Sequence, residues 1–204
     1  MKKAETILYE VHGGLYVNLT NRCPCACTFC LRQTRDHMEN SNPLWLDHEP
    51  SFDEVKEEFK KFDMTKYTEL VFCGFGEPTE RIDLLLKVAK YAKEQYDIKT
   101  RINTNGLGNL VNDRDITPSL KGLIDTVSIS LNTPNKKRYH ELVRSKFGDI
   151  SYDAMLSFAK EAVQYVPNVV MTTVETTLTK DEEEECRRIC KTLGVTYRIR
   201  EWVD

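Results

Sequence analysis

The sequence predicts an α/β fold: a partial (β/α)6 barrel of parallel strands, open on one side. Three observations predict it. Strand-like and helix-like segments alternate along the 204 residues, a pattern that requires parallel pairing. Six strands are expected, short of the eight that close a barrel. Two strands also divide into an apolar and a polar set of side chains.

The elements follow in order. "LYVNLT" (15–20) alternates apolar and polar residues and reads as the first strand. Residues 31–50 are polar with two prolines and read as an extended loop. Ser51 and Glu54 fit a capping box that opens an amphipathic helix. "TELVFCG" (68–74) is the second strand, 81–96 a helix, and "KTRINTNG" (99–106) the third strand, stopped by glycine. A short helical turn is expected over 117–123 and the fourth strand over 125–132. The next helix spans 152–166 and ends before Pro167; the fifth strand spans 168–175. The helix over 180–194 has an acidic start, which suits the helix dipole, and a glycine stop. The sixth strand covers 195–202.

In the fourth strand Val127, Ile129 and Leu131 oppose Ser128, Ser130 and Asn132. In the third, Arg101, Asn103 and Asn105 oppose Thr100, Ile102 and Thr104. Helices on the outside would take the apolar set and leave a polar interior. A buried polar face needs partners, which either a bound polar cofactor or water in an open barrel supplies.

Composition bounds the partners. Forty per cent hydrophobic and thirty per cent charged residues suit one globular domain, expected over residues 1–204. A net charge of −3 gives no overall pull toward nucleic acid or an anionic membrane. The N-terminus carries two lysines but no apolar run of signal length, and no stretch is long and apolar enough to span a bilayer. A cytoplasmic protein with reduced thiols is expected.

Four of the seven cysteines fall within residues 23–30, directly after the first strand. In folds of this class the working site lies at the C-terminal strand ends. Cys23, Cys27 and Cys30 make C-x3-C-x2-C, and Cys25 stands between them as loop filler or an alternative ligand. Four close thiolates suit tetrahedral zinc, although structural zinc usually takes two cysteine pairs from separate segments. Three suit a cubane iron–sulfur cluster with one iron left open. Cys186 and Cys190 share a helix face with Ile189 and Leu193 and are expected in the core, as is Cys73.

The C-x3-C-x-Φ-C pattern, with Phe29 as the aromatic Φ, resembles the signature of the radical S-adenosylmethionine (SAM) superfamily. "CGFGEPT" (73–79) resembles that family's Gly-Gly-Glu-Pro motif, with Phe75 in place of the first paired glycine. Alone it reads equally as a strand-ending turn. The resemblance extends over residues 15–202, and within it "YVNLTNRCP" and "FCGFGEPT" are most similar to the TatD family-associated radical SAM proteins.

The resemblance implies a [4Fe–4S] cluster on Cys23, Cys27 and Cys30, and SAM as second cofactor. It implies SAM contacts from Phe29, Gly74, Gly76 and Glu77, from Asn103 and Ser130, and from Arg198. A solvated edge strand accounts for Arg198 nearly as well. It further implies reductive cleavage of SAM to a 5′-deoxyadenosyl radical that takes hydrogen from a substrate. No residue is assigned as catalytic acid or base. A low-potential donor, flavodoxin or ferredoxin, would supply electrons.

The sequence ends directly after the sixth strand, so an open barrel mouth is expected. A bulky substrate, the 31–50 loop with Trp45, or a partner subunit would close it. Two other readings stand beside the enzyme: a radical-generating activator of a partner protein, and a zinc module without enzymatic activity.

Overall fold

The computed structural model describes residues 6–201. One seven-stranded sheet runs through it in sequence order. Its strands are β1 (Leu8–Val11), β2 (Gly14–Val17), β3 (Glu69–Phe72), β4 (Lys99–Thr104), β5 (Thr126–Ser130), β6 (Asn168–Val174) and β7 (Thr196–Arg200). β2 to β7 are the six expected parallel strands. The N-terminal lysines, and Trp202 at the end of the expected last strand, lie outside the described residues.

The sequence reading missed β1, which pairs antiparallel with β2 through a two-residue turn. His12 and Gly13 both take left-handed backbone, at φ 48° and 73°. That conformation matches the twist of a tight hairpin and explains the glycine.

The helices are α1 (Phe52–Phe59), α2 (Ile82–Tyr96), α3 (Gly108–Val111), α4 (Lys136–Val143), α5 (Ser151–Ala162) and α6 (Lys180–Leu193). The expected capping box at Ser51 and Glu54 forms, and a second one joins Thr179 and Glu182 at the start of α6. Residues 117–120 form the expected short turn. α5 ends at Ala162, four residues earlier than expected. Two helices were missed. α3 is one turn long, and α4 reads "KKRYHELV", in which only Tyr139 and Val143 are buried. So polar a segment carries no helical apolar stripe.

The core lies between the sheet and its helices. Val127, Ile129 and Leu131 are fully buried there, with Leu85 and Val88 of α2 and Met155 and Phe158 of α5. Register places Arg101 beside Thr126, Asn103 beside Ser128, and Thr172 beside Arg198. These side chains line the inner face, so the expected polar lumen is present. Cys186 and Cys190 are buried as expected. Cys73 departs from expectation. It follows Phe72 at the end of β3, and alternation turns it into the lumen, where Asn103 and Arg200 face it. Among the described residues, no helix is long and apolar enough to cross a membrane.

Candidate active site at the C-terminal strand ends

The cysteine loop leaves β2 and rests on the end of α4. Ala26 N–H donates to the Val143 carbonyl at 3.1 Å, Thr28 N–H to Leu142 at 2.9 Å, and Lys146 N–H to Pro24 at 2.8 Å. Cys25 pairs with Ser145 as an isolated bridge. The last carbonyls of a helix lack partners within it, so the loop caps α4 while α4 fixes the loop. From the other side Arg32 donates to the Cys25 carbonyl at 3.1 Å and Gln33 to the Cys27 carbonyl at 2.6 Å.

Within the loop Cys25 is buried, whereas Cys23, Cys27 and Cys30 are partly accessible. The Cys25 thiol shares hydrogen bonds with the sulfurs of Cys23 and Cys27, which lowers their proton affinity and raises its own. Burial raises the Cys30 thiol. Cys30 meets its neighbours through the backbone, its N–H donating to the Cys27 carbonyl at 3.2 Å. The structure therefore gathers Cys23, Cys25 and Cys27 and sets Cys30 beside them. Among the described residues, no three His, Cys, Asp or Glu side chains are arranged to hold a metal ion.

The turn after β3 presses against this loop. A Cβ on Gly76 would lie 2.2 Å from the Thr20 carbonyl and 2.6 Å from that of Arg22, so only glycine fits. Glu77 N–H donates to the Arg22 carbonyl at 2.7 Å. A Cβ on Gly74 would lie 2.2 Å from Asn18 Oδ1. Phe75 packs edge-on against Trp45, with ring centroids 5.4 Å apart, in a small cluster with Tyr9, Val11, Leu44 and Tyr16. Arg32 lies over the same Trp45 ring at 5.9 Å. Trp45 thus joins the 31–50 loop to the glycine turn.

Glu77 is 4 % exposed. Its Oε1 accepts from Thr79 N–H at 3.2 Å, Thr79 Oγ1 at 2.8 Å and Thr104 Oγ1 at 2.7 Å. Its Oε2 accepts from Asn105 N–H at 2.8 Å. Burial pushes its proton affinity up against these four bonds. The side chain joins the turn after β3 to the end of β4.

Of the other expected cofactor contacts, Phe29 is 43 % exposed beside the cysteines. Asn103 faces the Cys73 thiol, and its Oδ1 is buried with no partner among the described residues. Ser130 stands half-buried at the end of β5, and Arg198 is exposed on β7. Sequence reasoning missed Asn105, whose Nδ2 lies 3.6 Å from Cys25 Sγ and 4.0 Å from Cys23 Sγ. Its position in "NTNG", on the polar face of its strand, was the available signal.

The description Radical SAM superfamily fits residues 17–193 as a family model. The chain belongs to the radical SAM superfamily. Members carry a [4Fe–4S] cluster and SAM, are enzymes, and need a reductant. Molybdenum cofactor biosynthesis protein 1 of Drosophila melanogaster is 27% identical over 135 residues, 66% of this chain and 22% of that protein. Streptococcus suis SuiB bound to its precursor peptide SuiA shares the fold, with TM-score 0.68 and 19% identity over 92% of this chain and 39% of that one. The anSMEcpe structure with bound AdoMet gives TM-score 0.63 and 18% identity over 93% and 51%. The chain thus spans about a fifth to a half of the length of these three proteins.

The chemistry of the residues present suits the radical SAM cofactors, with the motif sulfurs close together in one loop though not preset around a metal position. Three accessible sulfurs share one loop with a buried fourth, Gly76 brings backbone against that loop, and Asn103 Oδ1 is an unsatisfied acceptor on the polar lumen wall.

Proposed function

We propose that this chain is a radical SAM enzyme that uses Cys23, Cys27 and Cys30 to hold a [4Fe–4S] cluster and binds SAM across the strand ends. One observation carries the reading: the motif cysteines and the glycine turn are joined, by the Glu77 N–H bond to Arg22 and by the backbone contact at Gly76. The two cofactors together supply a 5′-deoxyadenosyl radical for hydrogen abstraction.

The chain's own residues then have distinct tasks. Gly74 and Gly76 leave backbone accessible to the amino-acid end of SAM. Glu77 acts as a positioning residue, holding that turn to β4 through Thr104 and Asn105. Asn103, Ser130 and Arg198 offer polar groups to the rest of SAM, and Phe29 offers an aromatic face beside the sulfurs. Asn105 donates toward Cys23 and Cys25, where an N–H stabilises thiolate charge. Arg32 adds positive charge that lowers the proton affinity of Cys23 and Cys27, after the larger effect of Cys25.

Electrons would arrive from flavodoxin or ferredoxin in the cytoplasm. The lumen stays open on the side of β7, where Arg198 and Arg200 are exposed, and an open wall suits a bulky substrate. The likeness of "YVNLTNRCP" and "FCGFGEPT" to the TatD-associated branch supports membership of that branch as part of this proposal.

Anaerobic isolation with iron and sulfide analysis tests the cofactor assignment. About four irons per chain are expected. Replacing Cys23, Cys27 and Cys30 together should abolish iron; iron retained in that variant would refute the ligand set.

A further inference from the structure

β7 is an open edge of the sheet. It pairs with β6 alone, and no further strand adjoins it among the described residues. The opposite edge strand is covered: Leu8, Tyr9 and Val11 of β1 are buried, and Tyr9 and Val11 pack with Leu44 and Phe75. β7 instead alternates exposed and half-buried residues along its whole length. It holds no proline, and its register with β6 runs from Thr196 to Arg200 without a bulge. Cover, proline and bulges are the devices that usually blunt an edge.

One bond fixes the direction of the backbone. The Arg200 carbonyl accepts from Glu175 N–H at 2.8 Å, so Arg200 turns its backbone groups toward β6. In a parallel pair the N–H and C=O of one residue share a side, and successive residues alternate. Thr196 and Arg198 therefore also face β6, while Tyr197 and Ile199 aim their N–H and C=O groups outward. Beyond the edge neither Tyr197 nor Ile199 finds a backbone partner among the described residues.

The side chains give this edge a chemistry. Thr196, Arg198 and Arg200 stand beside Val170, Thr172 and Val174 on the lumen face. Tyr197 and Ile199 lie on the other face, where Tyr197 shares a hydrogen bond with Thr173 Oγ1 at 2.7 Å. Neither arginine has an ion-pair or hydrogen-bond partner for its side chain among the described residues. Glu175 and Glu201, the acids at the ends of β6 and β7, are exposed and form no ion pair with them. A second copy of the chain suits the edge poorly. Antiparallel overlap of the whole strand is centred on Arg198 and sets that arginine against itself, and like charges directly opposite destabilise a pair.

We propose that the β7 edge docks an extended acidic peptide, which adds a further strand to the sheet. The peptide backbone bonds the outward groups of Tyr197 and Ile199. Its acidic side chains, at alternate positions, meet Arg198 and Arg200, and apolar side chains between them lie against Tyr197 and Ile199. The docked segment runs along the open wall of the lumen. This goes beyond the radical SAM reading and does not require it, because the edge is formed by the sheet itself.

The test uses the reconstituted full chain and fluorescence anisotropy of a short labelled peptide alternating glutamate and valine. The same peptide with lysine for glutamate is the reference and should bind more weakly. Two further versions carry N-methyl groups, one on the valines and one on the glutamates. One of the two should lose binding: the valine version if the added strand is antiparallel, the glutamate version if it is parallel. Arg200→Glu should weaken the glutamate peptide about fivefold or more and tighten the lysine peptide. Ile199→Pro removes an outward N–H that the sheet does not use, and should abolish binding while circular dichroism stays unchanged. Four results overturn the proposal: no binding of the glutamate peptide, equal binding of the lysine peptide, binding that survives both N-methylated versions, or a dimer that Ile199→Pro dissociates, which would assign the edge to a second copy. Peptide binding is read without SAM, so failure of the radical SAM reading and failure of this site show separately.

Discussion

Asn105 donates its backbone N–H to Glu77 Oε2 at 2.8 Å, and this bond ties the end of β4 to the glycine turn after β3. The Asn105 side chain reaches from the same point toward Cys25 and Cys23. One residue thus links the glycine turn of residues 73–79 to the cysteine loop of residues 23–30.

Glu77→Gln tests that link. All four hydrogen bonds to the carboxylate come from donors, so either orientation of an amide sets its NH2 against one of them. A loss of about 1–3 kcal/mol in unfolding free energy is expected by urea titration. A change within roughly 0.5 kcal/mol would show that the buried carboxylate does not hold the turn.

Gly76→Ala should disturb the cysteine loop more than the sheet. The added Cβ meets two backbone carbonyls, of Thr20 and Arg22, and neither moves as a side chain would. Iron content after anaerobic reconstitution should fall well below that of the wild type, while far-UV circular dichroism stays close to it. Full iron loading in the variant would contradict the tight join between turn and loop.

Tyr139 carries a fully buried ring whose hydroxyl has no partner among the described residues. Tyr139→Phe removes an unsatisfied polar group and keeps the ring contact with Tyr152 at 5.3 Å. Stability should be unchanged or rise by about 1 kcal/mol. Tyr139→Ala should cost about 3–5 kcal/mol through the cavity it leaves. A clear loss in the phenylalanine variant would reveal a hydroxyl partner that this account lacks.

The start of α1 carries an acid-sensitive element. Hydrogen bonds from the Ser51 side chain and backbone, and from His48, hold the Glu54 carboxyl down at about 2. A carboxyl with a depressed folded value contributes stability that is present above its unfolded value, about 4.3. That contribution is lost as pH falls through the folded value. Urea midpoints of wild type and Glu54→Gln should therefore converge between pH 4.5 and pH 2. Parallel pH profiles would contradict the capping role.

The parallel strands, their polar inner face and the clustered cysteines were legible because each depends on local order or period. Ser128 and Asn103 alternate against Ile129 and Ile102, and register then sets them side by side. What escaped depends on distant contacts. α4 has too few apolar residues to show a stripe, and it is fixed by a loop more than a hundred positions earlier, through Ala26 and Thr28. Cys25 is buried for the same reason, pairing with Ser145. Cys73 looked like a core residue because its neighbours are apolar, but one step past β3 it turns inward. β1 was carried by a signal that is readable, the His12–Gly13 turn, once left-handed backbone is expected there.

Release of 5′-deoxyadenosine from SAM by the anaerobically reconstituted chain under dithionite tests the central claim most directly. The account predicts release by the wild type and by Cys25→Ala, and none by Cys27→Ala. Stoichiometric zinc in the wild type with no nucleoside released, or release undiminished in Cys27→Ala, would contradict it.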